Sequence, residues 1–314
     1  MDESQIFEVA IVGSGPAGLT AAIYASRYLL KNIVFGSLIG GEVALSADIE
    51  NYPGFKSIKG FELAKRFQEQ VLSLGSRLVN ENVKAVEREK EIFKIRTENG
   101  RVFTSRGVIL AAGSEKQKLN VKGENEYTGK GVSFCATCDG MFFKDKVVAV
   151  LGGGDAAISS AILLSEIAKH VYLIYRRKKE NLRAEPMWIQ KFEERVKMGK
   201  AEFIFETNVI EILGDGQKVN GLQLDRNQKI LKADGVFIQI GSKPETKVVS
   251  SLDVKTDKQG YIVVEAGQKT NIEGLYAAGD ITTGSNKFEQ IITAAAEGAV
   301  AAASISEWLK KSQK

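Results

Sequence analysis

Thiol chemistry is available at one place in this chain. Cys135 and Cys138 are its only two cysteines, and they stand in the run Cys135-Ala136-Thr137-Cys138-Asp139. Two thiols this close suit a local dithiol/disulfide couple better than a structural staple, and staples are rare in a reducing cytosol. Zinc needs about four ligands, and the single histidine, His170, lies far along the sequence. Covalent haem attachment needs a histidine directly after the second cysteine, where Asp139 stands. No metal site is expected. Two incidental thiols remain the plain alternative.

A dithiol needs an electron source, and the next pattern offers sites for one. Phe7 to Val12 reads as a buried strand, followed by Gly13-Ser14-Gly15-Pro16-Ala17-Gly18 and a helix through Leu19 to Ser26. The plan recurs: Lys146 to Leu151, then Gly152-Gly153-Gly154-Asp155-Ala156-Ala157, a helix from Ile158 to Ala168, and a strand from Val171 to Tyr175. Gly13 and Gly152 turn the chain. Gly15 and Gly154 let backbone approach a pyrophosphate, and Gly18 or Ala157 permits close packing of helix on strand. One such loop is a weak signal. Two, each between strand and helix, specify two dinucleotide-binding units.

Further strands end in glycine: Val108 to Gly113, Gly235 to Gly241, and Gly274 to Gly279, where Asp280 follows. Lys84 to Thr97 and Ala201 to Asp225 alternate like inserted antiparallel strands. Segments around Ser114 to Gln117 and Ser242 to Glu245 read as linkers. The expected fold is α/β, with two Rossmann-like dinucleotide-binding domains carrying inserted antiparallel strands, the second domain inserted in the first. The expected first domain is 1–115 with 246–314, and the second is 116–245, which carries the CxxC pair.

The end of the second strand of such a unit selects the ribose, an acid for hydroxyls or arginine for a 2′-phosphate. The second unit ends that strand in Tyr175-Arg176-Arg177, with Arg183 close behind, so NADPH is favoured over NADH. A solvated basic turn is the plain alternative. The first unit has neither acid nor arginine there. Asp280, beside the helix Gln290 to Ser304, is its candidate hydroxyl or phosphate-side partner, the alternative being a helix cap.

In order and spacing, Gly13 to Gly18, Glu50-Asn51-Tyr52-Pro53-Gly54, Cys135 to Gly140, the second glycine loop, the arginine element, and Ala278-Gly279-Asp280 with Gln290 resemble the low-molecular-weight thioredoxin reductases. These are FAD-dependent pyridine nucleotide-disulfide oxidoreductases. The resemblance spans essentially the whole chain. It implies FAD in the first domain, NADPH in the second, a homodimer, and thioredoxin or a similar small disulfide protein as substrate. By position, Gly13, Gly15, Gly18, Asn51, Asp280 and Gln290 are implied flavin contacts; Gly152, Gly154, Arg176, Arg177 and Arg183 are the implied NADPH set. Cys138 is implied to meet the flavin, Asp139 to move the proton, and Cys135, with a lowered thiol pKa, to attack the partner.

The chain also departs from the family. Tyr175 replaces a usual histidine, the element Arg176 to Ala184 is two residues longer than the usual form, and Ser159-Ser160 replaces an acidic pair. Glu42 stands for a common glutamine and Glu289 for a common arginine. Relatives with other donors use reduced ferredoxin or a deazaflavin, and a non-catalytic flavin/dithiol sensor is the reading from a different class.

Composition narrows the rest. The 314 residues are 44% hydrophobic and 26% charged, globular material long enough for two domains. No uncharged apolar run reaches the roughly eighteen residues of a membrane span. Met1 to Gln5 is acidic and lacks the layout of a signal peptide, so a cytoplasmic protein is expected. A net charge of +4, with acids and bases interspersed, indicates no nucleic-acid partner. His170 is expected to cap a helix, and Trp188 and Trp308 to pack. Because the cysteines precede the second glycine loop closely, dithiol and nicotinamide site are expected to ride on one domain; both must reach one flavin, though not at once, so the inserted domain is expected to rotate about its linkers.

Overall fold

Near-continuous apolar strands must be covered on both faces, and that requirement organises the chain twice. The computed structural model describes residues 5–46, 48–226 and 229–312. Residues Met1 to Ser4, on which the reading of the amino terminus rests, lie outside them. The chain divides into two compact units, Met1–Glu115 with Lys243–Lys314, and Lys116–Ser242.

In the first unit the strand Ile6–Val12 lies between Asn32–Phe35 and Val102–Leu110, all parallel, with Val12 level with both Phe35 and Leu110. Arg77–Val79 extends the sheet beyond Asn32–Phe35, and Leu275–Ala277 pairs with the end of Val102–Leu110. The helices Pro16–Arg27 and Ile291–Lys311 contribute to one apolar cluster with Val9, Ile11, Val34 and Ile109. Phe7, Ala10, Val12, Phe35 and Val108 join a second, which includes the hairpin residues Val86, Phe93 and Ile95.

Val102–Leu110 explains one difference from the sequence reading, which placed a strand at Val108 to Gly113. Its first half pairs antiparallel with Ile92–Thr97, Phe93 lying opposite Ser105, and its second half pairs parallel with Leu275–Ala277. Burial alternates in the first half and is continuous in the second, so two periodicities meet within one strand. Regular pairing stops at Leu110, before the turn.

The second unit repeats the plan with the parallel order Val132–Ser133, Gly235–Ile238, Val147–Leu151, His170–Tyr175, Ala201–Phe205. Helices Asp155–Ile167 and Pro186–Lys197 contribute to one apolar cluster. An antiparallel set, Val209–Gly214, Val219–Leu224 and Ile230–Leu231, contributes to another. The expected antiparallel run from Ala201 to Asp225 is therefore corrected. Ala201–Phe205 is a parallel edge strand, reached through the helix Pro186–Lys197, with Ala201 buried, Glu202 exposed and Phe203 to Phe205 half-buried; alternation belongs to the antiparallel strands that follow it. The two linkers are not irregular either, since Ser114–Lys116 and Ser242–Pro244 pair as a two-stranded ladder.

Among the described residues His170 caps no helix. It opens a strand, and its ring packs edge-on against Tyr172 with centroids 4.8 Å apart. Trp188 packs against the core of the second unit and Trp308 against that of the first. Among the described residues no helix is long and apolar enough to cross a membrane.

Candidate active site

Both glycine loops sit where a parallel strand hands over to a helix. At Gly13 φ is +117°, and a Cβ would lie 1.9 Å from the Ala111 carbonyl oxygen; at Gly152 φ is +142° and the corresponding approach, to the Gln239 carbonyl oxygen, is 2.1 Å. A Cβ on Gly18 would lie 1.9 Å from the Gly13 carbonyl oxygen, the close packing expected of that position. Gly15 and Gly154 differ. They immediately precede the helices, and a Cβ there meets nothing within 4 Å. The turns are closed from behind and open in front, as a pyrophosphate seat at a helix amino terminus requires.

In the first unit Asn51 and Gln290 meet: Asn51 Nδ2 donates to Gln290 Oε1 at 2.9 Å. Gln290 also caps the carboxyl-terminal helix in a reciprocal box with Thr293. Asp280 is the electrostatic outlier. Burial and the neighbouring carboxylates of Glu289, Glu297 and Glu42, in that order, push its carboxyl up to about 7. It lines a pocket with Thr282, Lys287, Glu289, Thr293 and Glu297. Glu297 is committed, accepting the Gly279 N–H at 2.8 Å and the Thr282 hydroxyl at 3.1 Å. Asp280 accepts no hydrogen bond among the described residues, so the helix-cap alternative does not hold for it. Hydroxyl donors of a nucleotide would satisfy this acid, and the open front at Gly15 would take the phosphates. The residues fit a flavin nucleotide.

Glu289 has acquired a partner of its own. The Tyr261 hydroxyl donates to Glu289 Oε1 at 2.7 Å, and burial followed by that carboxylate raises the phenol well above its usual range.

In the second unit Tyr175 is buried and its ring lies against the glycine loop, where a Cβ on Gly153 would come within 2.4 Å of it. Its hydroxyl donates to the Asn181 carbonyl at 2.7 Å, the Arg183 N–H donates to the Gly153 carbonyl at 2.7 Å, and the Glu185 N–H donates to Asp155 Oδ1 at 2.7 Å. The lengthened arginine element therefore folds back onto the loop, which returns Arg183 to it despite the two extra residues. Arg176, Arg177 and Arg183 are exposed. Among the described residues none of the three guanidinium groups makes an ion pair or hydrogen bond, whereas the neighbouring Lys179 pairs with Glu193 and Arg195 with Glu166. Three unpaired forks beside an open glycine loop fit a phosphorylated nucleotide.

Cys135 and Cys138 form a disulfide, with Cα atoms 5.4 Å apart, on the short helical turn Ala136–Asp139. Cys135 precedes the turn in extended conformation, and its sulfur accepts the Cys138 N–H at 3.1 Å. Asp139 does not cap this turn at its start. Its Oδ2 accepts the Ser133 hydroxyl at 2.7 Å, and Ser133 Oγ accepts the Cys135 N–H at 3.0 Å. Cys138 is exposed and Cys135 half-buried. Met141 and Phe142 follow directly, 66% and 74% exposed. Sequence reasoning missed Ser133, Met141 and Phe142. Two bulky apolar residues straight after Gly140 were the available signal for the last two.

Two dinucleotide-binding units with a reducible disulfide on the inserted one define a nucleotide-dependent disulfide oxidoreductase. Comparison with known proteins bears on which kind. The sequence pattern described as pyridine nucleotide-disulphide oxidoreductase matches residues 7–298. A thioredoxin reductase from Listeria innocua serovar 6a is 39% identical over 98% of this chain and 96% of its own length. The crystal structure of Lactococcus lactis thioredoxin reductase superposes with a TM-score of 0.90 at 35% identity, covering 97% of this chain and 99% of that one. That of T. acidophilum thioredoxin reductase gives 0.89 at 38% identity, with coverage of 96% and 98%. The chain belongs to the pyridine nucleotide-disulphide oxidoreductase family, among the thioredoxin reductases.

Proposed function

We propose that the chain takes electrons from NADPH through FAD and the Cys135–Cys138 disulfide to thioredoxin or a similar small disulfide protein. The observation that carries this is a disulfide held on the same unit as an open dinucleotide loop, beside two exposed apolar side chains. The first unit binds FAD through Gly13, Gly15, Gly18, Asn51, Asp280 and Gln290. The second binds NADPH through Gly152, Gly154, Arg176, Arg177 and Arg183. FAD supplies the two-electron transfer between the nicotinamide and the disulfide.

The chain's own residues do the rest. Two electrons break the Sγ–Sγ bond; Asp139, held by Ser133, manages the proton that goes to Cys138, and Cys135 remains a thiolate. The Cys138 N–H already aimed at the Cys135 sulfur supports that division. The Cys135 thiolate attacks the partner's disulfide, forming a mixed disulfide and releasing one partner thiol. Cys138 then attacks Cys135, restoring the enzyme's disulfide and freeing the partner as a dithiol. Met141 and Phe142 give that partner an apolar face to dock on. A homodimer belongs to the same reading through the family resemblance alone, and a cytosolic setting through a couple that must be cycled rather than left oxidised.

Anaerobic titration of the FAD-loaded protein with NADPH is expected to bleach the flavin, and oxidised thioredoxin to restore its colour. Cys135→Ser is expected to abolish disulfide turnover while sparing flavin reduction. Bleaching by reduced ferredoxin but by neither nicotinamide nucleotide would move the donor. A flavin never reoxidised by any small disulfide protein would make the chain a sensor and overturn the reading.

A further inference from the structure

The inserted unit holds a cation against the backbone of its redox turn. Lys116 Nζ donates to the carbonyl oxygen of Phe134 at 3.1 Å and lies 3.4 Å from Gln239 Oε1. Gln239, a buried side chain, donates from Nε2 to the same carbonyl at 2.9 Å. That carbonyl belongs to the peptide unit whose N–H is Cys135's. The N–H in turn reaches Ser133 Oγ at 3.0 Å, which donates to Asp139 Oδ2 at 2.7 Å. One chain of hydrogen bonds therefore runs from the Lys116 ammonium, through the Cys135 peptide, to the Asp139 carboxylate. Such chains polarise one another, and a cation at the carbonyl end strengthens the donor at the N–H end.

Gln239 alone would satisfy the Phe134 carbonyl. The ammonium adds charge, and charge matters to this couple. Reducing the disulfide takes two electrons and one proton near neutral pH and leaves one thiol and one thiolate, so a neutral group becomes an anion. A half-buried cation fixed to the peptide of Cys135 favours the anionic product. We propose that Lys116, held with Gln239 on the Phe134 carbonyl, is a positioning residue that orients the Cys135 peptide and favours the reduced state of the Cys135–Cys138 couple. The proposal rests on reading the pair as a redox couple, but on neither the donor nor the partner.

The test uses the full-length FAD-loaded protein, equilibrated at neutral pH in glutathione redox buffers. Free thiols are counted by alkylation and mass measurement, so neither NADPH nor thioredoxin enters the readout. Lys116→Met is expected to lower the equilibrium constant for reduction by about tenfold, which is about 30 mV for a two-electron couple. Lys116→Arg, which restores a cation and a donor, is expected to return it to within about twofold to threefold of the parent. Gln239→Leu, which removes a neutral donor, is expected to move it less than Lys116→Met does. An unchanged constant in Lys116→Met overturns the proposal. So does an arginine variant that folds, judged by its thermal transition, yet behaves like the methionine one, or a larger fall in Gln239→Leu than in Lys116→Met. A parent protein that equilibrates with glutathione but never reduces thioredoxin would defeat the functional reading alone.

Discussion

Asp280 makes the stability of the first unit depend on pH. Its carboxyl is raised to about 7 from an ordinary 3.8 by burial and then by Glu289, Glu297 and Glu42. Between those two values the folded chain keeps a proton that the unfolded chain has released. The stability this contributes is present in full below the unfolded value and is lost as pH rises through the folded one. Asp280→Asn keeps the shape without the charge. In flavin-free protein it should raise the melting temperature at pH 8, by a stabilisation on the order of 1–3 kcal/mol given partial screening, and much less at pH 5. Melts of parent and variant at the two pH values check this. An equal gain at both would show that another group governs the dependence. The same variant should bind FAD more weakly, because a carboxylate acceptor for hydroxyl donors has gone.

At the scale of elements, the two glycine loops separate residues that make the turn from residues that leave it open. Gly15 and Gly154 have φ of −77° and −106°, which any residue adopts, and open space where a side chain would go. Gly15→Ala and Gly154→Ala should leave the thermal transition of ligand-free protein within about 0.5 kcal/mol. They should weaken FAD and NADPH binding respectively by tenfold or more, because the methyl occupies the approach of the phosphates. Gly152→Ala should instead destabilise the protein by more than about 2 kcal/mol, since the turn needs positive φ and the Gln239 carbonyl blocks a Cβ. Calorimetry with and without ligand distinguishes the two classes. Loss of stability in all three variants would mean that the fronts of the loops are not open. These loops were legible in the sequence because strand, glycines and helix are contiguous. Asn51 and Gln290 were nameable only through a resemblance, since their hydrogen bond joins positions 239 residues apart. The parallel edge strand Ala201–Phe205 was misread because it runs, after a gap of three residues, into the antiparallel strand Val209–Gly214, and no local signal separates the two kinds of pairing. Ser133, Lys116 and Gln239 carry no local signal at all. Their roles arise from hydrogen bonds that the fold assembles around the Phe134 and Cys135 peptides.

For the whole molecule, connectivity sets the problem that turnover has to solve. The chain passes between its units twice, at Ser114–Lys116 and Ser242–Pro244. The disulfide and the second glycine loop both belong to the inserted unit, while the first glycine loop and Asp280 belong to the other. On the proposed function, one flavin must meet the nicotinamide and the disulfide in alternation, and the dithiol must then be open to a partner protein. A rigid body carrying both groups meets these demands in sequence rather than together, so the inserted unit is expected to reorient about the paired linkers in each cycle. Reversible lysine cross-linking, with inter-unit products separated from intra-unit ones by mass mapping, tests this. An inter-unit cross-link should permit one half-reaction, either flavin reduction by NADPH or electron passage to the disulfide, and reduce steady-state thioredoxin turnover by at least tenfold. Cleaving the cross-linker should restore turnover, and intra-unit products should retain it. Undiminished turnover in mapped inter-unit species would rule the reorientation out, because every residue assigned a chemical step would then have acted from one fixed arrangement.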